Sequence, residues 1–402
     1  MAICFTPREE NVSSDVFTPY KKSHPLTVEQ FESMHQGGYW FQRLLNYEHG
    51  SQRKTINKTI PPISFAKKQN SKTEFDIIYA GGGLAVIHAA VMSKVYGYKV
   101  CVFDQYHVGF THRDWNISKN EIKRIVDIGL LTDEELQTII AKFYSLGGFI
   151  KFNDSNSSVK TPSLWMRDVL DLAIDANTLL QICRTKLENT ENTIYDNTKF
   201  LHITSNIDSV SVAIENNGNT IEITGRLFVD SMGAFSPVSK QLNPKRSITH
   251  CCPTVGTIAS HYKIGDRPDE VNPEVGEILL TLDDADDTGR QLIWEGFPGK
   301  DNSFITYLFF YDEINSQQNK SLLNLYEVFF KQIHNYKKAD SNFTVSRPLF
   351  GIIPSYLHKS LFQEKNIATN NILCLGDSAG LSSPLTYCGF GSFIRNLDRT
   401  TS

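Results

Sequence analysis

Short apolar runs alternate with glycine turns and amphipathic stretches along this chain, and the clearest alternation lies at residues 75–104. The runs FDIIYA (75–80) and YKVCVF (98–103) are apolar and partly β-branched, and they predict two buried strands. Between them, three glycines at 81–83 precede the helical pattern LAVIHAAVMSKVYG, which ends at Gly97. The order of strand, glycine turn, helix and strand predicts a parallel βαβ unit.

Further strands and helices are predicted beyond this unit. Residues 208–230 predict two strands joined by an Asn217-Gly218 turn. Residues 291–311 predict two aromatic-rich strands around a Pro-Gly turn, and such strands either wall an apolar pocket or form plain core. The predicted helices follow capping boxes of Ser118 with Glu121 and of Thr132 with Glu135, through 121–129 and 135–143, and also cover 179–187 and 321–334.

The first 73 residues have a different character, because they are polar and proline-spotted apart from one aromatic island at 39–41. We expect a lead segment that lies over the domain surface and is partly disordered. The start of the chain lacks a basic stretch followed by an apolar run, and it carries Glu9, Glu10 and Asp15. We therefore expect neither a secretory signal nor an organelle transit peptide there.

Composition excludes several classes of protein. At 402 residues, with 40% hydrophobic and 21% charged residues, the chain is typical of a soluble globular protein of two interleaved domains. A net charge of -4 argues against a nucleic-acid partner, which selects basic surfaces. No apolar run approaches about 18 residues, so we expect no transmembrane segment, whereas peripheral membrane contact stays open. The seven cysteines include no CxxC pair, which favours reduced thiols over a disulfide framework.

Two clusters resemble metal sites, but we expect neither to bind a metal. In His250-Cys251-Cys252, adjacent residues of a strand would point to opposite faces, which favours a structural role. The aspartates at 283–287 lack the spacing of a calcium loop and predict a solvated turn.

The glycine turn of the βαβ unit has the composition of a dinucleotide-binding loop. Gly81, Gly82 and Gly83 permit a tight turn and let backbone amides approach a pyrophosphate at the positive end of the helix dipole. Asp104 follows about twenty residues later, where a carboxylate accepts hydrogen bonds from ribose hydroxyls. Val86 replaces the third glycine of the fingerprint, and we expect it to push the helix outward. The pattern favours dinucleotide binding over an ordinary glycine turn.

Two further apolar strands end in an acid and a glycine. The strand at 372–375 leads into Gly376-Asp377, where a carboxylate can hold hydroxyl groups. Beyond it, Gly389 and Gly391 open a helix whose amides suit a carbonyl or an anion. The residues DSMG at 230–233 are typical of a strand end that approaches a ligand, and equally of a plain turn.

Together, these motifs resemble the FAD-dependent superfamily of flavoprotein monooxygenases, geranylgeranyl reductases and lycopene cyclases. That superfamily has an N-terminal glycine motif, a DG-type motif in mid-chain and a C-terminal GD…P motif. The segments HRDWNIS (112–118), VDSMGAFSP (229–237) and GDSAGLSSPLTYCGFG (376–391) are most similar to its lycopene cyclase-like branch, and the resemblance covers residues 74–399. It implies an α/β fold in which a Rossmann-type, glutathione-reductase-like FAD-binding domain is interleaved with a β-sheet substrate domain.

The resemblance also implies roles for individual residues. The glycines at 81–83 would meet the FAD pyrophosphate, Asp104 the adenosine ribose and Asp377 the ribitol hydroxyls. Arg113 would reach toward a phosphate or the isoalloxazine. The other residues that it implies near the cofactor are Asp230, Gly233, Gly376, Pro384, Gly389 and Gly391. The FLEET-like acidic motif of lycopene cyclases is absent, and Glu295 is the nearest candidate for acid–base work.

The implied domains follow the order of the motifs. Residues 74–160 are the first part of the FAD-binding domain, and 161–240 a helix, a hairpin and the return to that domain. Residues 241–365 are the sheet and helix of the substrate domain, and 366–402 the second part of the FAD-binding domain. Relatives usually continue beyond this motif, so we expect that a chain ending at Ser402 is truncated.

Three functions fit these implications. The first is an FAD-dependent oxidoreductase that acts on an apolar, isoprenoid or carotenoid substrate, with NAD(P)H as a candidate electron donor. The second is a non-redox, lycopene cyclase-like isomerase that uses reduced FAD and in which Glu295 handles the proton. The third is a truncated, catalytically inactive flavoprotein. In each case we expect an intracellular protein of a cytoplasm or a plastid, and the sequence leaves its oligomeric state open.

Overall fold

The structure, a computed structural model, describes residues 14–52, 61–67, 72–153, 162–188, 191–281, 290–357, 366–383 and 389–402. The helices are α1 (Pro25–Ser33), α2 (Gly37–Gln52), α3 (Ala85–Lys94), α4 (Lys119–Ile122), α5 (Arg124–Asp127), α6 (Asp133–Ile139), α7 (Ala176–Glu188), α8 (Pro237–Leu242), α9 (Leu322–Tyr336), α10 (Gly389–Arg395) and α11 (Leu397–Thr401), with 3-10 helices at Ser14–Tyr20 and Gly376–Ala379. The strands are β1 (Ile63–Phe65), β2 (Phe75–Ala80), β3 (Val100–Phe103), β4 (Trp115–Ile117), β5 (Ile140–Phe143), β6 (Leu146–Asn153), β7 (Leu164–Met166), β8 (Leu172–Ile174), β9 (Thr193–Tyr195), β10 (Thr198–Ser205), β11 (Val210–Asn216), β12 (Asn219–Asp230), β13 (His250–Tyr262), β14 (Val275–Thr281), β15 (Leu292–Pro298), β16 (Phe304–Phe309), β17 (Asp312–Glu313), β18 (Ala339–Ser355), β19 (Ala368–Thr369) and β20 (Ile372–Cys374).

The predicted βαβ unit lies in a sheet whose strand order is β1-β10-β11-β12-β2-β3-β9, with β20 paired to β12. Strands β20, β12, β2, β3 and β9 run parallel to one another. In their registers Asp230 pairs with both Ala80 and Cys374, and Ala80 pairs with Phe103. The carboxyl ends of β2, β3, β12 and β20 therefore finish level at one edge of the sheet. This parallel sheet with its crossover helix confirms the predicted α/β class.

The parallel strands are buried on both faces, as their continuous apolar composition predicts. On one face Ile77 and Tyr79 of β2 share a hydrophobic cluster with Val86 of α3. On the other face Ile78 of β2 packs with Phe228 of β12 in a second cluster. Burial on both sides fixes α3 over the end of β2, where the glycine turn lies.

The predicted hairpin at 208–230 feeds this sheet. Asn217 and Gly218 form a two-residue turn with φ values of 50° and 78°, the positive values that a type I′ turn requires. Strand β12 first pairs with β11 as the second hairpin strand, and from Gly225 to Asp230 it pairs with β2. A single long strand thus carries Asp230 to the carboxyl edge.

A second sheet has the strand order β17-β13-β16-β15-β14-β6-β7, with β18 beside β13. Alternate residues of β15 point to its two faces. Trp294 is fully buried and packs on Phe329 of α9 with ring centroids 5.4 Å apart. On the opposite face, Phe297 and Ile305 belong to a smaller apolar cluster, and Glu295 shares that face. The aromatic strands at 291–311 are therefore core on one side, while their other side faces the segment that follows β3.

Residues 14–52 differ from the lead segment that the sequence predicted. They form a 3-10 helix followed by α1 and α2, and Phe31, Phe41 and Leu44 are 0% exposed. These side chains join α9 in the main hydrophobic cluster of the second sheet, and amides at the start of α1 donate to the Glu327 carboxylate. The polar composition is misleading because a few large aromatic side chains suffice to bury one face of each helix.

Other predicted boundaries also move. Strand β6 falls within residues 74–160, expected as the first FAD segment, and β7 within 161–240. Both strands pair in the second sheet, where β6 runs parallel to β14. The helical pattern at 135–143 ends at Ile139, and its last four residues form β5 in a three-stranded sheet of order β4-β8-β5. The acidic turn expected at 283–287 and the start of the lead segment, residues 1–13, lie outside the described residues. None of the helices that the structure describes has the length and apolarity to cross a membrane.

The substitution Phe41→Ala tests whether α2 is part of the folded core. The Phe41 ring is packed between Phe17 and Phe31, with ring centroids 4.9 and 5.4 Å away. We expect a loss of about 3–5 kcal/mol in the free energy of unfolding, because the ring is removed and a cavity remains. Urea unfolding measures the loss. The neighbouring Gln42→Ala should cost less than about 1 kcal/mol, and equally small effects for both variants would contradict the packing.

Candidate cofactor site

The turn after β2 leaves consecutive backbone amides without a protein acceptor. Gly81 donates its amide to the Phe103 carbonyl (2.8 Å), and Gly82 donates to the Asp104 carboxylate (2.6 Å). Among the described residues no acceptor lies within hydrogen-bond distance of the next amides, those of residues 83–85 at the start of α3. Successive free amides at a helix N-terminus form a positively polarised concavity that suits an anion.

The three glycines of this loop differ in what surrounds their Cα atoms. Gly81 has a φ of 111°, and a Cβ there would collide with the Ser231 carbonyl. At Gly82 a Cβ would lie 2.9 Å from the Cα of Val108. At Gly83, by contrast, a Cβ would meet no protein atom within 4 Å. The first two glycines therefore allow the chain to pack on itself, and the third borders open space.

Asp104 follows β3 directly and orders the glycine loop. Its carboxylate oxygens accept hydrogen bonds from the amides of Gly82 (2.6 Å) and Tyr106 (2.8 Å). Burial raises the pKa of this carboxyl, and the two amide hydrogen bonds oppose that shift. A carboxylate oxygen has further lone-pair capacity, so Asp104 can still accept hydrogen bonds from a sugar hydroxyl.

Val86, which replaces the third glycine of the fingerprint, is accommodated in the core. Its side chain is 0% exposed and packs in the same cluster as Ile77 and Val102. Helix α3 begins one residue earlier, at Ala85. The outward shift of the helix stays a prediction.

The Asp230 carboxylate is fully buried and supports the loop that follows β12. It accepts hydrogen bonds from the Ser236 hydroxyl (2.5 Å) and the Met232 amide (3.1 Å). The Asp230 carbonyl accepts a further bond from the Ser378 hydroxyl (2.5 Å), which ties β12 to the loop after β20. Burial raises the pKa of the Asp230 carboxyl to about 6, against the hydrogen bonds that lower it. Asp230 therefore acts as a positioning residue for both loops.

The loop after β20 presents Asp377 at the same edge. Gly376 has a φ of 67° and open space where a Cβ would lie. Asp377 keeps an exposed surface, and its carboxylate accepts one hydrogen bond, from the Ser382 hydroxyl (3.3 Å). The surrounding protein raises the pKa of this carboxyl, while the Ser382 hydrogen bond and the Arg113 charge oppose the shift. Arg246 anchors the loop through two of its carbonyls.

The segment HRDWN at 112–116 connects the two sheets. Its side chains reach the second sheet at three points: His112 Nε2 to the Phe350 carbonyl (2.8 Å), Asp114 to Arg347 (2.8 Å) and Asn116 Nδ2 to Glu295 (2.8 Å). Between them, Trp115 stacks on Phe390 of α10 with ring centroids 4.4 Å apart. The segment thereby holds the second sheet against the carboxyl edge of the first.

Arg113 is the exception in this segment, because its guanidinium makes no hydrogen bond or ion pair with any residue that the structure describes. The guanidinium lies directly on Gly351 of β18, where any Cβ would collide with it. Its charge acts on Asp377, and it also lowers the pKa of the Tyr307 hydroxyl, which burial raises. A half-buried cation in this position has unused donors for an anion or a carbonyl group.

Glu295 lies on the face of β15 that is turned toward this segment. Burial raises the pKa of its carboxyl, and the hydrogen bond from Asn116 opposes the shift. The buried Tyr144 hydroxyl lies beside Asn116 without forming a hydrogen bond of ordinary geometry. Burial, and after it the Glu295 charge, raises the pKa of that hydroxyl. A carboxyl with a raised pKa beside an unpaired hydroxyl can hold and transfer a proton.

The sheet register brings together most of the residues that the sequence predicted for the site. At the carboxyl edge lie Gly81, Gly82, Gly83, Asp104, Asp230, Gly233, Gly376 and Asp377. Gly389 and Gly391 lie at the start of α10, with Gly391 next to Glu121. Pro384 lies outside the described residues. That these residues contact a cofactor stays a prediction.

Sequence reasoning missed several polar residues of the site. Ser236 supports Asp230, Arg347 pairs with Asp114, and Tyr144 lies near Glu295. None of them belongs to a motif. A usable signal was Arg347, a charged residue directly before the apolar run at 348–353 of β18.

Comparison with known proteins shows the fold. The sequence matches no protein-family model and no curated protein. A geranylgeranyl bacteriochlorophyll reductase-like protein from Thermoplasma acidophilum is 14% identical with a TM-score of 0.56, over 84% of this chain and 77% of that one. The flavin-dependent halogenase CmlS is 12% identical with a TM-score of 0.59, over 83% of this chain and 59% of the halogenase. The halogenase PltM, solved in complex with phloroglucinol and FAD, is 14% identical with a TM-score of 0.56, over 82% and 69%.

These similarities give the chain the Rossmann-type fold of FAD-binding flavoproteins. The similar structures include a geranylgeranyl reductase-like protein and flavin-dependent halogenases. Membership of the lycopene cyclase-like branch and the glutathione-reductase-like form of the domain stay predictions. The chain spans 59% of CmlS, so that the halogenase contains much that has no counterpart here.

Asp230→Asn tests the buried carboxyl through the pH dependence of stability. Because its pKa rises from 3.8 to about 6 on folding, the folded protein holds this proton more tightly than the unfolded chain does. Below about pH 4 the protonated carboxyl therefore adds about 3 kcal/mol to the free energy of unfolding. This contribution is lost as the pH rises through about 6. We expect Asp230→Asn to remove this change from the free energy of unfolding measured between those values. Asp127→Asn, at an exposed carboxyl, is the control, and an unaltered pH profile for Asp230→Asn would contradict the assignment.

Proposed function

We propose that this protein is an FAD-dependent oxidoreductase whose cofactor binds along the carboxyl edge of the parallel sheet. The observation that carries the proposal is the level ending of β2, β3, β12 and β20. This ending aligns the free amides of residues 83–85 with two carboxylates, Asp104 and Asp377. A dinucleotide needs both groups, because amides neutralise its pyrophosphate and carboxylates accept its sugar hydroxyls. Similarity to flavoproteins supports FAD over other dinucleotides.

The edge has space for such a ligand as well as the chemistry. Gly83, Gly233 and Gly376 each border open space, because a Cβ at these positions would meet no protein atom within 4 Å. Gly233 and Gly376 also have positive φ values of 81° and 67°, so a side chain there would be strained. Backbone without side chains therefore lines the edge at three of the four strand ends.

Each group at the edge has a proposed task. The amides of residues 83–85 hold the pyrophosphate, Asp104 the adenosine ribose and Asp377 the ribitol. Arg113 donates its free N–H groups to the flavin ring or a phosphate. When bound, FAD supplies the exchange of a hydride or electrons with the substrate.

The second sheet supplies the substrate side. Phe297 and Ile305 on its face toward residues 112–116 are buried core beside Glu295. The isoprenoid or carotenoid class of substrate is supported by the similarity to a geranylgeranyl reductase-like protein. Glu295 delivers or accepts the substrate proton at its carboxyl, since its raised pKa keeps more of this group protonated. Asn116 orients the carboxyl from the cofactor side (2.8 Å).

A second candidate function is non-redox isomerisation of the same class of substrate with reduced FAD. The Tyr144 hydroxyl, which lies near enough to Glu295 for the carboxyl charge to raise its pKa after burial, favours it, because proton transfer is the chemistry that an isomerase needs from its side chains. Net consumption of NAD(P)H, the proposed electron donor, separates the two functions, since only the oxidoreductase forms a product of changed mass. A protein that binds FAD but converts substrate by neither reaction would be the catalytically inactive flavoprotein.

Gly83→Ala tests cofactor placement without disturbing the protein. The new methyl group meets open space within the chain itself, so we expect the melting temperature of the apoprotein to be unchanged. The methyl group would obstruct a pyrophosphate bound to the amides. We therefore expect the Kd for FAD to rise about tenfold or more, and a tenfold rise is a loss of about 1.4 kcal/mol of binding free energy. Quenching of flavin fluorescence measures the Kd. A variant that binds FAD as the wild type does would exclude this loop as the site.

Asp377→Asn tests the second carboxylate. The amide keeps the size of the side chain and one acceptor but loses the charge, so FAD affinity should fall less than in Asp377→Ala. We expect the order wild type, Asp377→Asn, Asp377→Ala in flavin content of the purified protein, measured by absorbance after denaturation. Equal content in all three would remove Asp377 from the cofactor site.

Glu295→Gln tests the proton transfer step. Glu295 accepts its hydrogen bond from Asn116 through a carboxyl oxygen, which a glutamine also provides, so FAD content should not change. Turnover of reduced enzyme with a panel of isoprenoids should fall about 100-fold or more, in line with the loss of general acid–base catalysis. Anaerobic product analysis measures it. Turnover at the wild-type rate would mean that another group handles the proton.

A further inference from the structure

Helix α2 holds a cation beside the segment that follows β3. The Arg43 guanidinium lies over two rings of its own helix, Tyr39 (5.7 Å) and Trp40 (5.8 Å). It also lies over Tyr106 (5.1 Å) and Phe110 (5.9 Å), which follow β3 in the parallel sheet. Contacts with aromatic faces stabilise a guanidinium and limit its movement.

The donors of this guanidinium are largely unused. One N–H group donates to the Tyr39 hydroxyl (3.1 Å). Within the described ranges, no carboxylate lies within ion-pair distance of Arg43. A preorganised cation that is not neutralised by the protein is available to an anionic ligand.

The surroundings of Arg43 place it next to the proposed cofactor. The aromatic residues that hold it flank Gly109, whose amide donates to the Gly82 carbonyl (2.8 Å). The Tyr106 amide donates to Asp104, the carboxylate assigned to the adenosine ribose. Burial raises the pKa of the Asp104 carboxyl, and Arg43 is among the charges that lower it.

The helix that carries Arg43 is anchored elsewhere. Its Phe41 and Leu44 side chains are buried in the cluster of the second sheet, and its Glu48 carboxylate accepts the Leu322 amide at the start of α9 (2.9 Å). The Arg43 guanidinium instead lies over Tyr106 and Phe110, which follow β3 of the parallel sheet. Helix α2 therefore bridges the sheets, with its core face on one and its cation on the other.

We propose that Arg43 binds the FAD pyrophosphate at its adenosine-side phosphate, so that the N-terminal helices complete the cofactor site. The inference rests on the proposed function, since it requires that FAD lie along the carboxyl edge. The amides of residues 83–85 offer partial charges, whereas Arg43 supplies a full positive charge to a doubly negative group. Because the aromatic rings already restrict the Arg43 side chain, less side-chain entropy is lost when it binds a phosphate.

The test compares FAD with FMN, which lacks the adenosine-side phosphate, on the full-length protein freed of bound nucleotide. We expect Arg43→Gln to raise the Kd for FAD about tenfold or more, as for the loss of a charge-assisted hydrogen bond. The Kd for FMN should change less than about threefold, and the salt dependence of FAD binding should weaken. Arg43→Lys, which keeps the charge but loses the planar fork, should be intermediate.

Arg226→Gln is the matched control. Arg226 is exposed and lies at the opposite, amino-terminal end of the parallel pairing of β12, so its loss removes one positive charge away from the site. The Kd of the Arg226→Gln variant for FAD should equal that of the wild type. If Arg43→Gln proves too unstable to purify, Arg43→Lys alone carries the FAD and FMN comparison.

The outcomes separate this inference from the proposed function. Wild-type protein that binds FAD, together with an Arg43→Gln variant of unchanged FAD affinity, overturns the role of Arg43 and leaves the proposed function standing. Equal losses for FAD and FMN would assign Arg43 a structural role and overturn the phosphate contact. A variant that loses affinity for NADPH but not for FAD overturns it too, in favour of a nicotinamide nucleotide phosphate. Failure of the wild type to bind FAD overturns both proposals.

Discussion

The register of β12 between β2 and β20 is the constraint on which the candidate site depends. Asp230 pairs with Ala80 on one side and with Cys374 on the other, so three loops leave the sheet at one level. The same residue then secures two of those loops through its buried carboxylate and its carbonyl. A slip of one residue would take Asp230 off this level and turn its carboxylate to the opposite face of the sheet, away from the loops that it secures.

The second sheet is fixed against this edge by a short extended segment rather than by a large apolar contact. In residues 112–116, three polar side chains reach the second sheet, while the Arg113 guanidinium lies on Gly351. Helix α2 adds a second bridge between the sheets. Oriented polar groups of the first sheet's connecting segment therefore lie against the face of the second sheet that carries Glu295.

Several ionisable groups lie together at the candidate site. The carboxyls of Asp104, Asp377 and Glu295 all have raised pKa values because the protein surrounds them, and hydrogen bonds or cations oppose the shift in each case. Arg43 and Arg113 lie near these carboxyls, and neither forms an ion pair with a residue that the structure describes. The two guanidinium groups and the amides at the start of α3 are the positively polarised groups of this site, in a chain of net charge -4.

Local patterns determined the βαβ unit, the hairpin with its Asn217-Gly218 turn and the order of the glycine and acid motifs, because each depends on neighbouring residues alone. From the sequence, the strand ends come together only if the sheet is assumed to be parallel. The tertiary structure decides their position, because β12 pairs with β20 across about 140 residues. Composition was wrong about residues 14–52, since burial is set by a few aromatic side chains that find a partner in α9. It also gave no sign of Arg43 or Tyr144, because their chemistry comes from the neighbours that tertiary packing supplies and not from a motif.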